Sequence, residues 1–431
     1  MNQMKIKVKT HLTLWVVFWV GMQSAVVGAN EGSIAFVGAT IIDGTEAAPL
    51  IDGVVVISDG RIRSVGPRSD VDVPADAEIL DVTGMTIMPG IVNAHAHVGG
   101  TVGLATGNYN LENLTRQLSL FARYGVTTVN SLGGDEEEGF DLRNGQYHQN
   151  LLRSRIMVAG DVVTGTDIDT VRQQVNKNAD RGANFIKVRV DDNLGRSEKM
   201  DPKLVDALIE QAALRRLPVA VHLFYLEDAK AILKAGASFI AHSIRDLIVD
   251  DEFMDLARNE DACYVPTLTR EVSTFVYGGE PAFFDDPYFL KEVDENVLET
   301  LKNPERQARM ASSASAAAYE AGLDIAMSNV KILYEAGVLI AMGTDSGPPA
   351  RFQGYFSHLE MQMMADAGMA AIDVIRSATA VAAECLNASD VGTLEPGKWG
   401  DLVLLRDNPL EDIGNTKSIE GVWIAGNRVP D

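Results

Sequence analysis

The sequence predicts an α/β protein: a (β/α)8 TIM-like barrel with a small β-sandwich domain built from both chain ends. Three observations predict it. Across the middle of the chain, short Val/Ile/Ala-rich runs alternate with helical segments, the pattern of a parallel sheet. Eight such runs occur, enough to close a barrel. Residues 33–86 and 390–431 have a different texture, with short alternating strands and Gly- or Asp-marked turns.

The elements follow in order. Residues 1–29 read as a secretory signal peptide: Lys5, Lys7 and Lys9, then an apolar run from Leu12 to Val20, then Val27–Gly28–Ala29 as a small-residue cleavage site. That apolar run is short for a membrane span of about 20 residues, and no cysteine follows it to carry a lipid. The mature chain is expected to be secreted or periplasmic, with no stable membrane association once the leader is removed. Residues 33–86 (IAFVGATIID, GVVVISDGRIRSVG, EILDV) form the first part of the sandwich, and residues 390–431 (DLVLLRDNP, SIEGVWIAGNRV) the second. Residues 87–389 form the barrel. Its strands are expected near 85–93, 126–130, 156–159, 185–190, 219–222, 239–242, 263–268 and 338–345, with helices at 111–124, 168–182, 202–215, 227–235 and 351–367. Residues 269–310, rich in Phe, Tyr, Asp and Pro, are too long for a plain loop and read as a lid or insertion.

Composition narrows the function classes. Of 431 residues, 46% are hydrophobic and 23% charged, ordinary for a globular protein. The formal net charge of -23 argues against nucleic acid and anionic membranes as partners. Nothing in the composition separates a monomer from a homo-oligomer. The two cysteines could pair in an exported protein. Cys263 sits in a strand-like run and Cys385 in an Ala-rich helical one, which reads as two separate buried thiols.

Six polar side chains stand at the ends of separate apolar runs: His95, His97, Lys187, His222, His242 and Asp345. Such residues are costly to bury unless something compensates them, and a pair of divalent cations would. The C-terminal ends of barrel strands converge on one mouth. His95 and His97, two residues apart on a strand, point the same way. Any one of these four histidines alone reads as a satisfied core residue; the six residues in this order do not. Lys187 cannot ligate as an ammonium. Burial suppresses its charge, and a neutral amine adds carbon dioxide to give a carbamate, an anionic bridge between two metals. A salt bridge to a nearby acid is the competing reading. Asp345, in GTDSG, can ligate one metal and hydrogen-bond a bridging hydroxide. It would take the proton as that hydroxide attacks a carbonyl carbon, then return it to the leaving nitrogen. His358 reads as a helix-start residue of structural role, with a substrate contact still open, and His148 as helical or loop.

At these residues the chain resembles the amidohydrolase superfamily, in its imidazolonepropionase-like and prolidase-like (Xaa-Pro dipeptidase-like) branch. The resemblance runs through MTIMPGIVNAHAHV, FIKV, VAVH, IAHS, GTDSG, SATAVAAECL and GTLEPGKWGDLVLL, nearly the whole mature chain. It implies two divalent metals, zinc by analogy, and a carbamate on Lys187. It places His95, His97 and Asp345 on the first metal, His222 and His242 on the second, and Lys187 between. Imidazolonepropionases resemble mononuclear enzymes without the bridging lysine, so Lys187 argues against that activity. Residues 188–193 depart from the Gly-rich stretch of prolidase-like relatives.

On the substrate side, Arg189 leaves the Lys187 strand on the same face and could grip a carboxylate, or pair with Asp191 or Asp192. Tyr225 stands three residues past His222, near where relatives place a tyrosine that holds the carbonyl oxygen; a packed tyrosine reads equally well. Arg270 and Arg351 are further candidates. The expected activity is hydrolysis of amide or peptide C–N bonds in small molecules such as dipeptides, carboxylate-bearing ones among them. The same metals would also suit an ester, lactone or phosphotriester. A non-catalytic metal-binding protein is the third reading, and no ligand has been lost to support it.

Overall fold

The computed structural model describes residues 32–430. The expected leader, residues 1–29, lies outside them. Eight parallel strands run through the middle of the chain: β1 (Ile91–Ala96), β2 (Val126–Ser131), β3 (Arg155–Val158), β4 (Ile186–Arg189), β5 (Val219–His222), β6 (Phe239–Ala241), β7 (Cys263–Val265) and β8 (Leu339–Ile340). They fall into two sheets, one of order β3-β2-β1 and one of order β4-β5-β6-β7-β8. Hydrogen bonds cross both gaps between the sheets. At one, Asn184 N donates to Val158 O (2.7 Å) and Val163 N to Lys187 O (2.8 Å); at the other, Ala94 N donates to Met342 O (2.9 Å) and His97 N to Ser346 O (2.7 Å).

The intervening helices form where apolar residues recur at helical spacing. Leu111–Arg123 buries Leu114, Leu118, Phe121 and Ala122 on one stripe, and the Asn110 side chain caps its start. Along the strands the alternation places Phe185 and Ala220 in one buried cluster, and the next residues on those faces are Lys187 and His222. The polar ends thus continue apolar faces.

The two chain ends meet in one mixed eight-stranded sheet. The seam is antiparallel: Thr86–Pro89 pairs with Leu402–Leu405, Thr86 opposite Leu405 and Pro89 opposite Leu402. Phe36 meets Trp423 edge-on at 4.8 Å between centroids, so the core of this sheet draws on both ends. The pieces extend one hydrogen-bonded path, on which the strands of Phe36 and Trp423 lie three places apart although their rings touch.

The stretch 269–310 is an ordered insertion of short helices. Phe283, Phe284 and Phe289 pack with Phe352, Tyr355 and Phe356. Arg123 grips Glu292 with two hydrogen bonds (2.7 and 2.8 Å), and Asp286 accepts from both Lys417 and Tyr355 (3.0 Å each). His358, buried on helix Tyr355–Asp366, is enclosed by Thr416, Tyr124 and Tyr288. Its role is structural, and burial pushes its pKa down to about 4. His148 is exposed, with Nδ1 accepting from Asn150 N.

The cysteine expectation needs correction. Cys263 and Cys385 form a disulfide, with Cα atoms 5.8 Å apart. The helix Ala380–Cys385 packs its Ala382 and Ala383 into the same buried cluster as Cys263 and Ala341. That folds together two residues separated by 122 positions, a proximity that local sequence context does not carry. Cross-linking so long a loop is expected to stabilise the fold by about 2–5 kcal/mol. A Cys385→Ser variant, or thiol-reduced wild type, should unfold at clearly lower denaturant concentration than the oxidised protein. Coincident unfolding curves would show that the bond contributes nothing.

Candidate metal centre and active site

The six predicted polar residues come together at the C-terminal ends of the parallel strands. Asp345 is the common neighbour. Its Oδ1 lies 2.9 Å from His97 Nε2 and 3.5 Å from His95 Nε2, and its Oδ2 3.9 Å from His242 Nε2. Lys187 Nζ stands 3.4 Å from His95 Nε2, and His222 Nδ1 2.8 Å from His242 Nε2. Each of the six therefore touches another member of the set.

The backbone after β8 produces this convergence. Asp345 has φ of 51°, a left-handed conformation unusual for a non-glycine residue. A Cβ on Gly343 would lie 2.9 Å from His95 N, and one on Gly347 (φ 118°) only 2.0 Å from His97 O. Glycine at both positions lets the GTDSG turn press against β1 and deliver Asp345 between the two histidines.

The imidazoles are oriented from behind. His97 Nδ1 meets Gly133 O at 3.1 Å, leaving Nε2 for the site. His242 Nδ1 meets Thr267 Oγ1 at 2.7 Å, leaving Nε2 toward His222. Thr267 is itself held in a left-handed conformation (φ 48°). The buried Glu360 carboxylate fixes this turn by accepting from Leu268 N (2.7 Å), Thr269 N (2.8 Å) and Thr269 Oγ1 (2.7 Å). His222 Nε2 lies 3.2 Å from Asp191 Oδ2.

The electrostatics match. Burial, then the Lys187 charge, drives the His95 pKa well below its usual value. Burial, then His222, does the same to His242, and burial takes His222 down to about 3. Burial lowers Lys187 to about 8. Burial alone would raise Asp345, but the Arg351 guanidinium and His97 hold it well below the carboxylate range. His95, His222 and His242 are thus neutral imidazoles, set beside one ionised carboxylate and an amine within reach of its neutral form, all at the strand ends.

A divalent cation fits this donor set. Ligand atoms of His95, His242 and Asp345 lie within 4.8 Å of one another, all buried. His222 Nδ1 and His242 Nε2 face each other at 2.8 Å, where two lone pairs repel unless one ring holds a proton there or both share a cation.

The predicted substrate residues are placed unequally. Arg189 is exposed, and its Nε donates to Asp191 Oδ1 (2.6 Å). Tyr225 is engaged just past the β4 and β5 ends: its hydroxyl donates to Asp192 Oδ1 (2.8 Å) and Lys199 covers its ring at 4.1 Å. Arg351 and Arg270 do stand at the site. Arg351 pairs with Asp345 Oδ2, its Nε held by Ser273 Oγ at 3.1 Å. Arg270 lies 3.8 Å from the same oxygen, held by Glu271 (2.9 Å) and Tyr319 (3.2 Å).

Four contributors escaped the sequence reading. Thr267 and Glu360 are polar residues whose partners lie far along the chain, and Glu271 joins its neighbour Arg270 to the distant Arg245. Asp191 was seen only as a partner for Arg189, yet it shares its strand parity with Lys187 and Arg189, a signal that could have marked it.

A family model for the amidohydrolase family matches residues 86–429. The chain belongs to that family, and it is an amide-cleaving hydrolase of the prolidase-like and imidazolonepropionase-like branch. It is similar to the ochratoxinase of Aspergillus niger, 25% identical over 93% of this chain and 88% of that protein. It is also similar to the imidazolonepropionase of Streptomyces griseus, 24% identical over 90% of this chain and 95% of that one. A solved Xaa-Pro dipeptidase with bound methionine in its active site shares the fold, with a TM-score of 0.73 at 22% identity, covering 93% of this chain and 100% of that one.

If His242 is a ligand, His242→Ala should weaken binding of added zinc by at least about tenfold, read by competition with a chromophoric chelator. Unchanged affinity would remove His242 from the centre.

Proposed function

We propose a binuclear metal-dependent hydrolase that cleaves amide or peptide C–N bonds of small molecules. One observation carries the reading: four imidazoles, Asp345 and Lys187 form one continuous set at the C-terminal ends of the strands. This reading assigns His95, His97 and Asp345 to one metal and His222 and His242 to the other, with Lys187 as a carbamate between them. It takes the two parallel sheets, hydrogen-bonded across both gaps, as the wall of one (β/α)8 barrel spanning 87–389. The end sheet is then its satellite domain. It also takes the chain as secreted or periplasmic, a reading supported by the 1–29 pattern and the disulfide. Among the described residues no helix is long and apolar enough to cross a membrane.

Two bound divalent cations, most simply zinc, would polarise the substrate carbonyl and lower the pKa of a shared water toward about 7, providing a bridging hydroxide. The chain's own groups do the rest. Lys187 is buried, which favours its neutral amine. Its nitrogen lone pair bonds to the carbon of carbon dioxide, and the proton leaves to solvent. Asp345 is ionised and touches both His95 and His97, so it can receive the remaining proton of the attacking hydroxide as that oxygen bonds to the carbonyl carbon. The same oxygen can then hand that proton to the departing nitrogen.

The substrate side is cationic. Arg245, Arg270 and Arg351 are buried or nearly so around the two carboxylates of Glu271 and Asp345, and Arg245 and Arg270 share Glu271. This supports a substrate carboxylate near the scissile bond, as in N-acyl amino acids and dipeptides.

Elemental analysis of protein prepared with zinc and bicarbonate should find close to two metals per chain, and Lys187→Ala should lose metal and hydrolysis, with partial rescue by short carboxylic acids. One metal or none in the wild type would refute the binuclear reading. Arg351→Gln should raise KM for N-acyl amino acids by about tenfold or more, the value of a lost charge-assisted hydrogen bond, and change KM far less for the matching C-terminal amides. An equal effect on both series would remove the carboxylate from the account.

A further inference from the structure

We propose that Asp191 is a positioning residue: braced by Arg189, it fixes the orientation and tautomer of His222 so that Nδ1 faces the cation. The inference rests on the metal reading above.

The observations converge on one buried carboxylate. The Asp191 side chain is 1% exposed. Its Oδ2 lies 3.2 Å from His222 Nε2, off the line of a well-directed hydrogen bond but in contact. Its Oδ1 accepts from Arg189 Nε (2.6 Å) and from Asn193 N (3.3 Å). The carboxylate is therefore held from both sides while its other oxygen points at the ring.

The backbone keeps it there. Arg189 on β4 is in register with His222 on β5, and Val190 N donates to His222 O at 3.0 Å. Directly beyond, Asn193 and Leu194 both adopt left-handed conformations (φ 54° and 58°), a tight turn whose first residue is tied to Asp191. Asp192 O accepts from Arg196 N and Ser197 N (2.9 Å each), and Tyr225 bonds the Asp192 side chain, closing the loop on β5. Residues 189–197 thus form a fixed bracket behind His222.

The chemistry follows from the imidazole. A neutral ring carries one N–H. A carboxylate accepts only, so Asp191 beside Nε2 selects the tautomer protonated at Nε2 and leaves an in-plane lone pair on Nδ1. The opposite tautomer would place hydrogen where the ring must ligate. A carboxylate behind a ligating histidine also raises its basicity, and losing such a partner typically weakens metal affinity 10–100-fold.

The test has three measurements. Long-range 15N NMR of the metal-free protein reads the His222 tautomer, with assignment by His222→Asn. Chelator competition gives zinc affinity for the wild type and for Asp191→Asn. Thermal unfolding of both metal-free proteins controls for a purely structural role. We expect the Nε2–H tautomer in the wild type, and about 10–100-fold weaker binding of one zinc equivalent in Asp191→Asn, at a Tm unchanged within a few degrees. Arg189→Gln, a change on the exposed brace, should weaken the same equivalent by less. An Nδ1–H tautomer in the wild type overturns the proposal without any variant, and so does a variant that binds both equivalents as tightly as wild type. Wild type that binds no zinc refutes the metal reading itself, while the tautomer measurement still reports on Asp191.

Discussion

The strand ends of this protein are organised around one buried carboxylate. Asp345 is 4% exposed and touches His95, His97, His242, Arg270 and Arg351. A buried anion without partners would protonate; this one is held ionised because cationic and polar groups surround it. The contacts depend on backbone placement. Asp345 sits in a left-handed turn between two glycines that lie against β1, and no ordinary strand extension would bring it there. Strain of about 1–3 kcal/mol at such a residue persists only where the surroundings over-determine it. Here they do: β1 on one side, the Arg351–Ser273 contact on the other.

A second left-handed residue, Thr267, performs the matching task after β7. Its hydroxyl orients His242, and Glu360 from the helix after β8 holds the turn in place. So the carboxylate of one helix reaches across to set a histidine on another strand. This is why removing a group that touches no ligand can still loosen the centre. The same logic makes Asp191 more than a salt-bridge partner. Three of the four histidines are backed by a protein group: Gly133 O, Thr267 Oγ1 and Asp191. His95 Nδ1 is buried with no hydrogen-bond partner among the described residues, and that ring stacks on His242 at 4.7 Å.

Much of this was legible in the sequence. The six polar residues could be seen because each interrupts an apolar run, and strand parity then places them at one end of a parallel array. The strand and helix order was visible for the same reason, since periodicity is local. What escaped is long-range. Cys263 and Cys385 read as unrelated thiols because nothing near either residue indicates the other. The seam between the two end pieces escaped too, because strand texture does not reveal which edges pair. Tyr225 read equally as a substrate contact or a packed tyrosine from its offset to His222, and the offset alone could not show the bond its hydroxyl makes to Asp192. For Arg189 the sequence offered a substrate carboxylate or an acid at 191 or 192 as its partner, and its Nε bonds Asp191.

The disulfide and the site meet on one strand. Cys263 opens β7, and four residues later Thr267 orients His242. The strand is therefore anchored at its start by a covalent bond to the helix Ala380–Cys385, and just past its end by Glu360. Between them lies Val265, packed in the same buried cluster as Ala94 and Ala341. A strand of three residues has little hydrogen bonding of its own to resist sliding. Anchoring both ends removes that freedom, and because the Thr267 hydroxyl moves with β7, the anchor that stabilises the fold also limits where His242 can point. Stability at one end of the strand and geometry at the other are two consequences of the same constraint.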